Sequence, residues 1–572
     1  MQKQPNDPKH QRMTGAQIAI RCLEQQGVEL LFAYPGGAAL ELHQALLNSP
    51  IRVVLPRHEQ GGAFGAAGYA RATGRVGVCM ATSGPGATNL LTGIADAYAD
   101  SIPLVIVTGQ VPRRYIGKNA FQETDIIGMT RPVVKHSYLV TEIEELPKIF
   151  AEAFYLASSG RPGPVHIDIP KDIQQASCVP HFPESFDKMV TYRPKIEADD
   201  KDVEIILHAI RRSERPCLYV GGGIIHANAH QELQEFAEKF NIPVATTLMG
   251  IGAIPEDHPL SLKWLGMHGT YAANFAANES DLLLAFGVRF DDRVTGNVAG
   301  FAEHATIVHV DIDAAEINKN KRANISAVCD IRHMLQKLNA LPIHKEYEAW
   351  HRQINDWKKK YPLHYRKTGG TILTQHAVHV LYQKSKGNAI VVTGVGQHQM
   401  WAAQFYNFKR PRQLLTSGGL GTMGFGLPAA IGAKLALPNE TVVLVDGDGS
   451  FQMNIQELGT AFSEGIAVKM MICNNQHLGM VAQWEDRFYN GRRGNTVLSI
   501  PGHEATYPNF VQIAKGYSIP GRDVWTNDEL PGAIEEMLKT DGPYLLDIHC
   551  EYQDHVLPMI PAGGYYKDIM VE

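Results

Sequence analysis

The sequence has 572 residues, of which 44% are hydrophobic and 20% charged, and its formal net charge is -6. At about 150 residues per domain, that length predicts three or four globular domains. The negative charge and the dispersed Lys and Arg residues argue against a nucleic-acid-binding surface, and no apolar run approaches the roughly 18 residues of a membrane helix.

The seven cysteines are scattered and form no CxxC motif. Several lie in apolar, strand-like runs, so we predict buried thiols rather than disulfides or metal ligands, as in a reducing compartment. The first ten residues lack the apolar core of a signal peptide and contain an acidic residue, which is unusual in a transit peptide. The prediction is a cytoplasmic location.

The first block of the chain alternates short strands with helices, the pattern of a parallel α/β domain. Thr14 is predicted to cap an amphipathic helix, and the residues between Gly61 and Ala70 form a small-residue helix that a neighbour must approach closely. The predicted strands are 30–33, 52–55, 76–81, 104–108 and 165–169. We assign residues 1–180 to this first domain.

Two further blocks repeat this alternation. A polar, Pro-containing linker (180–201) leads to a central domain (195–345), and a charged stretch (346–367) is predicted to be helical and then a linker. The central strands are predicted at 217–220, 244–247, 282–286 and 307–310. The third domain is 371–550, followed by a tail of residues 551–572. The predicted fold is α/β, with three doubly wound parallel-sheet domains, and the first and third blocks share a rhythm that indicates a pseudo-repeat.

The most informative motif lies in the third block. An apolar run ends in Gly447-Asp448-Gly449-Ser450, and the next strand ends in Asn474-Asn475. Both clusters lie at carboxyl ends of strands, where open α/β sheets bind ligands. A carboxylate and an amide are oxygen ligands that suit Mg²⁺ bound with a diphosphate, and Gly-rich backbone amides suit the phosphates. A bare Gly-Asp-Gly is otherwise an ordinary βα turn.

The spacing of these two clusters resembles the diphosphate and Mg²⁺ motif of thiamine-diphosphate (ThDP) enzymes. By that resemblance Asp448, Asn475 and the backbone carbonyl of His477 hold the metal ion. The cofactor is implied to contact the strand-end residues Gly449, Ser450, Gly396, Gln397 and His398. Local capping is the alternative role for Gln397 and His398.

Two further residues match this family. Glu59 follows an apolar strand, and the family's activator glutamate in that place hydrogen-bonds the aminopyrimidine ring of ThDP. Its alternative is a surface carboxylate paired with Arg57. Met423, between Gly421 and Gly424, is implied to wedge beneath the cofactor and bend its two rings together; by itself a Met is more often a core residue.

Motifs in all three blocks, from about residue 14 to the end, resemble the large, catalytic subunit of acetohydroxyacid synthase (acetolactate synthase). They are the segments 108–112, 120–123, 266–270, 284–296, 397–401 and 483–489. That resemblance implies FAD in the central domain without net redox chemistry. Gly221, Gly222 and Gly223 are the phosphate or ribose candidates, with a mobile loop as the alternative. The remaining FAD candidates are Asp311, His268, Arg289, Asp330 and Arg161.

The resemblance also implies substrate residues. Arg293 is the candidate for the carboxylate of the second 2-oxo acid, with an ion pair to Asp291 or Asp292 as the alternative. Trp484 is expected to favour 2-oxobutanoate over pyruvate as acceptor. Access to the site is assigned to Phe121, Gln122 and Lys171, and Gln122 is also a catalytic candidate.

The implied reaction is decarboxylation of pyruvate and transfer of the hydroxyethyl unit to a second pyruvate or to 2-oxobutanoate, as in branched-chain amino-acid biosynthesis. The implied assembly is a homodimer or homotetramer, and a small regulatory subunit is a candidate partner. The alternatives are a pyruvate oxidase or decarboxylase, or a ThDP-type fold that only binds a partner. Glyoxylate carboligase is disfavoured because that family lacks the activator glutamate, and catabolic acetolactate synthases lack FAD.

Overall fold

The structure is a computed structural model that describes residues 11–183, 186–342, 345–366, 369–500 and 507–572. The first ten residues, on which the prediction about targeting segments rests, lie outside this range. Among the described residues, no helix is long and apolar enough to cross a membrane. All seven cysteines are free thiols and all but the half-buried Cys550 are buried, so the prediction of buried thiols without disulfides is confirmed for six of them.

The first sheet has six parallel strands in the order β3-β2-β4-β5-β7-β6. Its strands are β2 (Leu30–Ala33), β3 (Arg52–Val54), β4 (Gly77–Ala81), β5 (Leu104–Gln110), β6 (His136–Leu139) and β7 (Pro164–Pro170), beside a small antiparallel pair, β1 (Met13–Thr14) and β8 (Ser177–Cys178). The accompanying helices are α1 (Gly15–Gln25), α2 (Leu40–Leu46), α3 (Glu59–Thr73), α4 (Pro85–Asn89), α5 (Leu91–Ala99), α6 (Ile126–Thr130), α7 (Leu146–Ser158) and α8 (Lys171–Gln175). As predicted, Thr14 caps α1, through a capping box with Gln17.

The second sheet also has six parallel strands, in the order β11-β10-β9-β12-β13-β14. They are β9 (Pro216–Val220), β10 (Val244–Thr246), β11 (Ser261–Trp264), β12 (Leu282–Phe286), β13 (Thr306–Asp311) and β14 (Ile325–Val328). The helices are α9 (Asp200–Arg212), α10 (Gly222–His226), α11 (His230–Phe240), α12 (Tyr271–Glu279), α13 (Asp292–Thr295), α14 (Ile331–Asn339) and α15 (Glu348–Lys360).

The third sheet has six parallel strands in the order β16-β15-β17-β18-β20-β19. They are β15 (Ile390–Thr393), β16 (Leu414–Leu415), β17 (Val442–Gly447), β18 (Lys469–Asn474), β19 (Gly521–Val524) and β20 (Tyr544–His549). The helices of this part of the chain are α16 (Thr374–Ser385), α17 (Gln397–Phe405), α18 (Gly426–Ala436), α19 (Asp448–Gln452), α20 (Leu458–Ser463), α21 (Gly479–Phe488), α22 (Phe510–Gly516) and α23 (Leu530–Lys539).

The strand orders relate the three sheets. Numbered within each sheet, the first and third both run 2-1-3-4-6-5, which gives the predicted pseudo-repeat a structural basis. The second runs 3-2-1-4-5-6, the order of dinucleotide-binding sheets. The predicted α/β class with three parallel sheets is confirmed. The domain boundaries stay a prediction.

Two compact units are defined by internal contacts. The first contains Met1–Arg193, Gly419–Pro438 and Asn454–Ile466, and the second contains Pro194–Gly418, Asn439–Met453 and Ala467–Glu572. α18 and α20 therefore belong to the first unit, although the chain passes through them between strands of the third sheet.

The small-residue helix α3 has the close neighbour that its sequence predicts. In the first unit α18 packs against it, so that a Cβ at Gly68 would collide with the backbone of Ala429, and one at Gly432 with the backbone of Gly65. The glycines are therefore needed for helix packing.

Candidate active site

Asp448 is the best-defined acidic group of the third sheet. It begins α19 directly after β17, and its residue is only 1% exposed. Burial raises the pKa of this carboxyl to about 6. The hydroxyl of Tyr507 donates to Asp448 Oδ2 at 2.6 Å, and the backbone N–H of Asn475 also donates to the carboxylate.

Asn475 and His477 lie at the end of the neighbouring strand, β18. The side-chain oxygen of Asn475 accepts the His477 N–H at 3.0 Å, and the His477 ring stacks on Tyr552 with 4.3 Å between centroids. The structure therefore brings Asp448 and Asn475 into contact, as expected from their positions on adjacent parallel strands.

These residues fit a hard divalent cation. A carboxylate oxygen, an amide oxygen and a nearby backbone carbonyl are the ligand types that Mg²⁺ accepts. A buried carboxylate with a raised pKa is also one whose charged form a bound cation would stabilise. The role of Asp448, Asn475 and His477 as metal ligands stays a prediction.

The end of β15 lies next to this group because β15 and β17 are paired strands on either side of the sheet's switch point. Gln397 is the first residue of α17; its Nε2 donates to Gln483 Oε1 and the Asp554 carbonyl, both at 3.0 Å. Its buried Oε1 has no hydrogen-bond partner among the described residues. His398 Nε2 lies 3.3 Å from Asp446 Oδ1.

The remaining predicted cofactor contacts are sequence neighbours of Asp448 and Gln397. Ser450 is buried, with its hydroxyl 3.4 Å from the N–H of Val395, whereas Gly449 is half-buried. Gly396 has a φ of 155°, which favours glycine.

Glu59 is the first residue of α3 in the first unit and is half-buried. Its Oε2 accepts a hydrogen bond from Asn89 Nδ2 at 2.9 Å. Arg57, the alternative partner of Glu59, instead donates from its guanidinium to the Leu55 carbonyl and to Ser463 Oγ. The Glu59 carboxylate and the Arg57 guanidinium thus each have other hydrogen-bond partners.

Met423 lies in the loop before α18, also in the first unit, and it is half-buried rather than a core residue. Gly421 and Gly424 on either side have φ values of 69° and 83°. Their left-handed backbone is one that side chains resist, so the glycines shape this loop.

Gly221, Gly222 and Gly223 connect β9 to α10 at the switch point of the second sheet. The N–H of Gly223 donates to the Gly287 carbonyl at 3.2 Å, and a Cβ at Gly223 would collide with the Gly287 backbone. The glycines are thus explained in part by close packing of two strand ends, a cause that the sequence alone did not reveal.

Two acidic FAD candidates, Asp311 and Asp330, each accept a hydrogen bond from a nearby backbone N–H. Asp311 ends β13 and accepts the Asp313 N–H at 2.9 Å, while Asp330 caps α14 by accepting the Arg332 N–H at 2.8 Å. That cap is a sufficient structural role for Asp330.

Among the remaining FAD candidates, His268 is buried, whereas Arg289 and Arg161 are half-buried. Burial lowers the pKa of His268 to about 4, so this imidazole is neutral at physiological pH. Arg289 lies 3.6 Å from Asp291, and Arg161 Nε donates to Ser101 Oγ at 2.9 Å.

The two substrate candidates of the second unit differ in exposure, because Arg293 is exposed and Trp484 is half-buried. The Arg293 side chain is 64% exposed, with Nη1 3.5 Å from Asp292 Oδ2, so the structure contains the ion pair that was its alternative role. An ion pair this exposed is weak and would leave the guanidinium available. Trp484 is half-buried in α21 and packs on Phe488.

The access residues lie in segments that follow two strands of the first sheet. Phe121 and Gln122 follow β5; Phe121 is 89% exposed and Gln122 has a φ of 58°. Lys171 follows β7, and its Nζ donates to the Gly37 carbonyl at 2.9 Å.

Sequence reasoning missed the hydrogen-bond partners of these groups. Tyr507 on Asp448, Asn89 on Glu59 and Gln483 on Gln397 were not predicted. Only Gln483 lay in a segment that we had singled out, and no periodic signal links any of these pairs.

Comparison with known proteins identifies the family. Three thiamine pyrophosphate enzyme family profiles match: the N-terminal TPP binding domain at residues 13–129, the central domain at 203–338 and the C-terminal TPP binding domain at 394–548. Thiamine pyrophosphate is ThDP. Acetolactate synthase 1, chloroplastic, of Oryza sativa subsp. japonica is 55% identical over 568 residues, covering 98% of this chain and 88% of the relative.

The chain belongs to the acetolactate synthase family of thiamine pyrophosphate enzymes. Acetolactate synthase 1, chloroplastic, of Nicotiana tabacum is 53% identical, covering 99% of this chain and 86% of the relative. Acetolactate synthase, chloroplastic, of Arabidopsis thaliana is 53% identical, covering 99% and 85%. The predicted family and enzyme class are confirmed.

The predicted location is wrong. All three of these relatives are named chloroplastic, which contradicts the cytoplasmic location that we predicted from the start of the sequence. That prediction relied on ten residues that fall outside the described part of the chain, so no structural observation supported it.

Proposed function

We propose that this chain decarboxylates pyruvate and joins the resulting two-carbon unit to a second pyruvate or to 2-oxobutanoate. The products are 2-acetolactate and 2-aceto-2-hydroxybutanoate, with release of CO₂. The observation that carries the proposal is the contact between buried Asp448 and Asn475 at the switch point of the third sheet. It supplies oxygen ligands at the edge where such a sheet binds a diphosphate.

ThDP and Mg²⁺ are the proposed cofactors at these groups. When bound, ThDP supplies the carbon nucleophile that adds to the 2-oxo group and holds the two-carbon unit after CO₂ leaves. Asp448, Asn475 and the His477 carbonyl would hold Mg²⁺ against the diphosphate. The buried Oε1 of Gln397 is an acceptor that a bound cofactor would satisfy.

Glu59 is the proposed activator. Its carboxylate would accept a hydrogen bond from the aminopyrimidine ring and so favour removal of the thiazolium proton. Asn89, which donates to Oε2 at 2.9 Å, orients the carboxylate and leaves Oε1 for the ring. Met423 would support the cofactor from its half-buried loop.

FAD is the proposed third cofactor, in the second sheet. The strand order 3-2-1-4-5-6 and the glycine turn after β9 support it, because dinucleotides bind at the switch point of such sheets. Asp311, at the end of β13, is suited to ribose hydroxyls, and we assign this flavin no net redox step.

Substrate recognition is assigned to Arg293 and Trp484. The exposed Arg293 guanidinium would form a bidentate pair with the carboxylate of the second 2-oxo acid. Trp484 would pack against the extra methyl group of 2-oxobutanoate. Phe121, Gln122 and Lys171 would line the access path.

The smallest active form is proposed to be a homodimer, with the two ends of one ThDP bound by two copies of the chain. A homotetramer and a small regulatory subunit are further expected assemblies. Size-exclusion chromatography with light scattering, compared with specific activity at each concentration, tests this. A fully active monomer would contradict it.

Product analysis tests the function. The purified protein is incubated with pyruvate, with and without 2-oxobutanoate, and ThDP, Mg²⁺ and FAD are omitted in turn. We expect both acetohydroxy acids by NMR, and none without ThDP. Acetaldehyde as the main product would indicate a decarboxylase instead, and stoichiometric flavin reduction by pyruvate an oxidase.

A further inference from the structure

The short segment from Asn454 to Glu457 contacts the start of α3, which carries Glu59, and the loop before α18, which carries Met423. A 3₁₀ turn spans Ile455–Glu457, just before α20. Asn454 and Glu457 are each only 1% exposed. Two such buried polar side chains need partners, and those partners reveal what the segment does.

Glu457 binds the backbone immediately before Glu59. Its Oε1 accepts the N–H of Arg57 at 3.0 Å and the N–H of His58 at 3.1 Å, and Oε2 accepts the Thr460 hydroxyl at 2.6 Å. Arg57 and His58 directly precede α3, with His58 as its N-cap, so the helix offers their N–H groups no partner and Glu457 supplies one. The carboxylate also fills the space where Gly61 would carry a Cβ.

Asn454 connects the same region to the Met423 loop. Its Nδ2 donates to Gln60 Oε1 at 3.1 Å and to the Gly424 carbonyl at 2.9 Å. Gln60 follows Glu59 and Gly424 follows Met423 in sequence. One side-chain amide thus links the residues next to both.

We propose that Glu457 and Asn454 are positioning residues, which hold the backbone of Glu59 and Met423 in the geometry that activates the cofactor. The inference rests on the proposed function, because it presupposes those roles for Glu59 and Met423. Neither residue needs to touch the cofactor. A displacement of about 1 Å in a reacting group can reduce a rate by about a hundredfold, so this backbone is a sensitive place for a support.

The test is Glu457→Gln, with Glu464→Gln as the matched control. The first change keeps the size of the side chain but removes its charge and one acceptor oxygen. Glu464 is the C-cap of α20, the helix that follows Glu457. Its carboxylate pairs with Arg52 at 2.9 Å and not with the N–H groups of Arg57 and His58.

Two measurements separate positioning from folding. In the cofactor-free proteins, amide hydrogen exchange reports the Arg57 and His58 N–H groups directly, and we expect faster exchange only in Glu457→Gln. In the ThDP-loaded proteins, deuterium exchange at C2 of ThDP reports activation. We expect it to fall about tenfold to a hundredfold in Glu457→Gln, with kcat, while the KM for pyruvate and the ThDP affinity change less than threefold.

Identical amide and C2 exchange in the two variants would overturn the inference. If Glu457→Gln fails to fold, Asn454→Ser takes its place, because Asn454 links Gln60 to Gly424. The same loss of C2 exchange is expected, and C2 exchange equal to that of Glu464→Gln would overturn the inference. A wild-type protein that binds ThDP but makes no acetohydroxy acid would reject the proposed function alone, since amide and C2 exchange would still decide the positioning role.

Discussion

The first and third sheets have the same strand order, 2-1-3-4-6-5, but they place their carboxylates differently. In the third sheet Asp448 follows β17, the third strand, at the switch point. In the first sheet the corresponding loop after β4 carries Thr82 and Ser83, and Glu59 instead follows β3, the second strand. The shared topology thus fixes where a ligand can bind, and the side chains at the strand ends decide its chemistry.

Both sheets also bury carboxyl groups whose pKa is raised by desolvation; in the third sheet these are Asp448 and Asp547. The pKa of Asp448 is about 6 and that of Asp168 about 7. Asp168 lies inside β7, where Thr108 donates to it at 2.6 Å and Gln110 at 3.0 Å. Asp448 stands at a strand end. Because of this difference in position, we expect a structural role for Asp168 and a cofactor-binding role for Asp448. For Glu59, which follows a strand of the first sheet, we expect a role in turnover.

Glu59→Gln should have the largest effect. The amide cannot act as the activating base, so kcat should fall about a thousandfold, which is within the range for a lost acid–base group. ThDP affinity and melting temperature should stay close to wild type. Glu144→Gln, at an exposed site in the first unit, is the control. Near-normal turnover in Glu59→Gln would contradict the assignment.

Asp168→Asn should alter the pH dependence of stability. The folded-state pKa of about 7 lies above the ordinary value of 3.8, so the charge destabilises the fold. Stability from this group is complete below about pH 4 and is lost as pH rises towards 7. The loss is about 4 kcal/mol at roughly 1.4 kcal/mol per pH unit.

The Asp168→Asn comparison isolates that group. The variant cannot ionise, so its melting temperature relative to wild type should rise by several degrees between pH 4 and pH 8. Thr108 and Gln110 donate to different oxygens of Asp168, and the variant keeps only one acceptor oxygen. The hydrogen bond it loses shifts the whole curve without changing its slope. A difference that stays constant across this pH range would show that Asp168 does not titrate as proposed.

Asp448→Asn should instead weaken cofactor binding. Removing the charged ligand should reduce ThDP affinity in the presence of Mg²⁺ by about a hundredfold, measured by isothermal titration calorimetry. The melting temperature without cofactor should not fall, because a buried charge is removed. Asp528→Asn, in an exposed loop, is the control. Unchanged affinity in Asp448→Asn would remove the metal site from the proposal.

In the first two sheets the sequence predicted every inner strand but, of the edge strands, only β3. The strands predicted at 30–33 and 282–286 agree with β2 and β12 at both ends, because they are continuous buried apolar runs. The edge strands β6, β14 and β19 were not predicted. Each is largely half-buried or exposed, so its sequence lacks that apolar run.

The sequence also predicts which residues at strand ends lie close together, because parallel strands bring their carboxyl ends to one edge of the sheet. Asp448 and Asn475 could be paired on that basis. Glu457 could not, because it reaches Arg57 across 400 positions of the chain. Such a contact depends on the packing of α3, α18 and α20, which no local pattern encodes.

The smallest predicted effect concerns the segment after the fourth strand. In the first sheet this segment carries Phe121, which is 89% exposed, whereas in the third sheet it carries the half-buried Trp484. A partly enclosed indole offers an extra methyl group a surface to pack against, whereas the ring of Phe121 is almost fully exposed to solvent. Trp484→Leu should therefore reduce the preference for 2-oxobutanoate over pyruvate by about tenfold, the value of one methylene contact.

Competition between the two acceptors, with both products quantified in one reaction, measures this preference independently of enzyme concentration. Phe488→Leu is the matched control, because Phe488 packs on Trp484 in the same helix but is 45% exposed. It should leave the product ratio within about twofold of wild type, since a contact that only supports the indole changes discrimination less than the indole itself. Equal shifts in both variants would mean that the aromatic pair shapes α21 as a whole, and the assignment of acceptor preference to Trp484 would then be wrong.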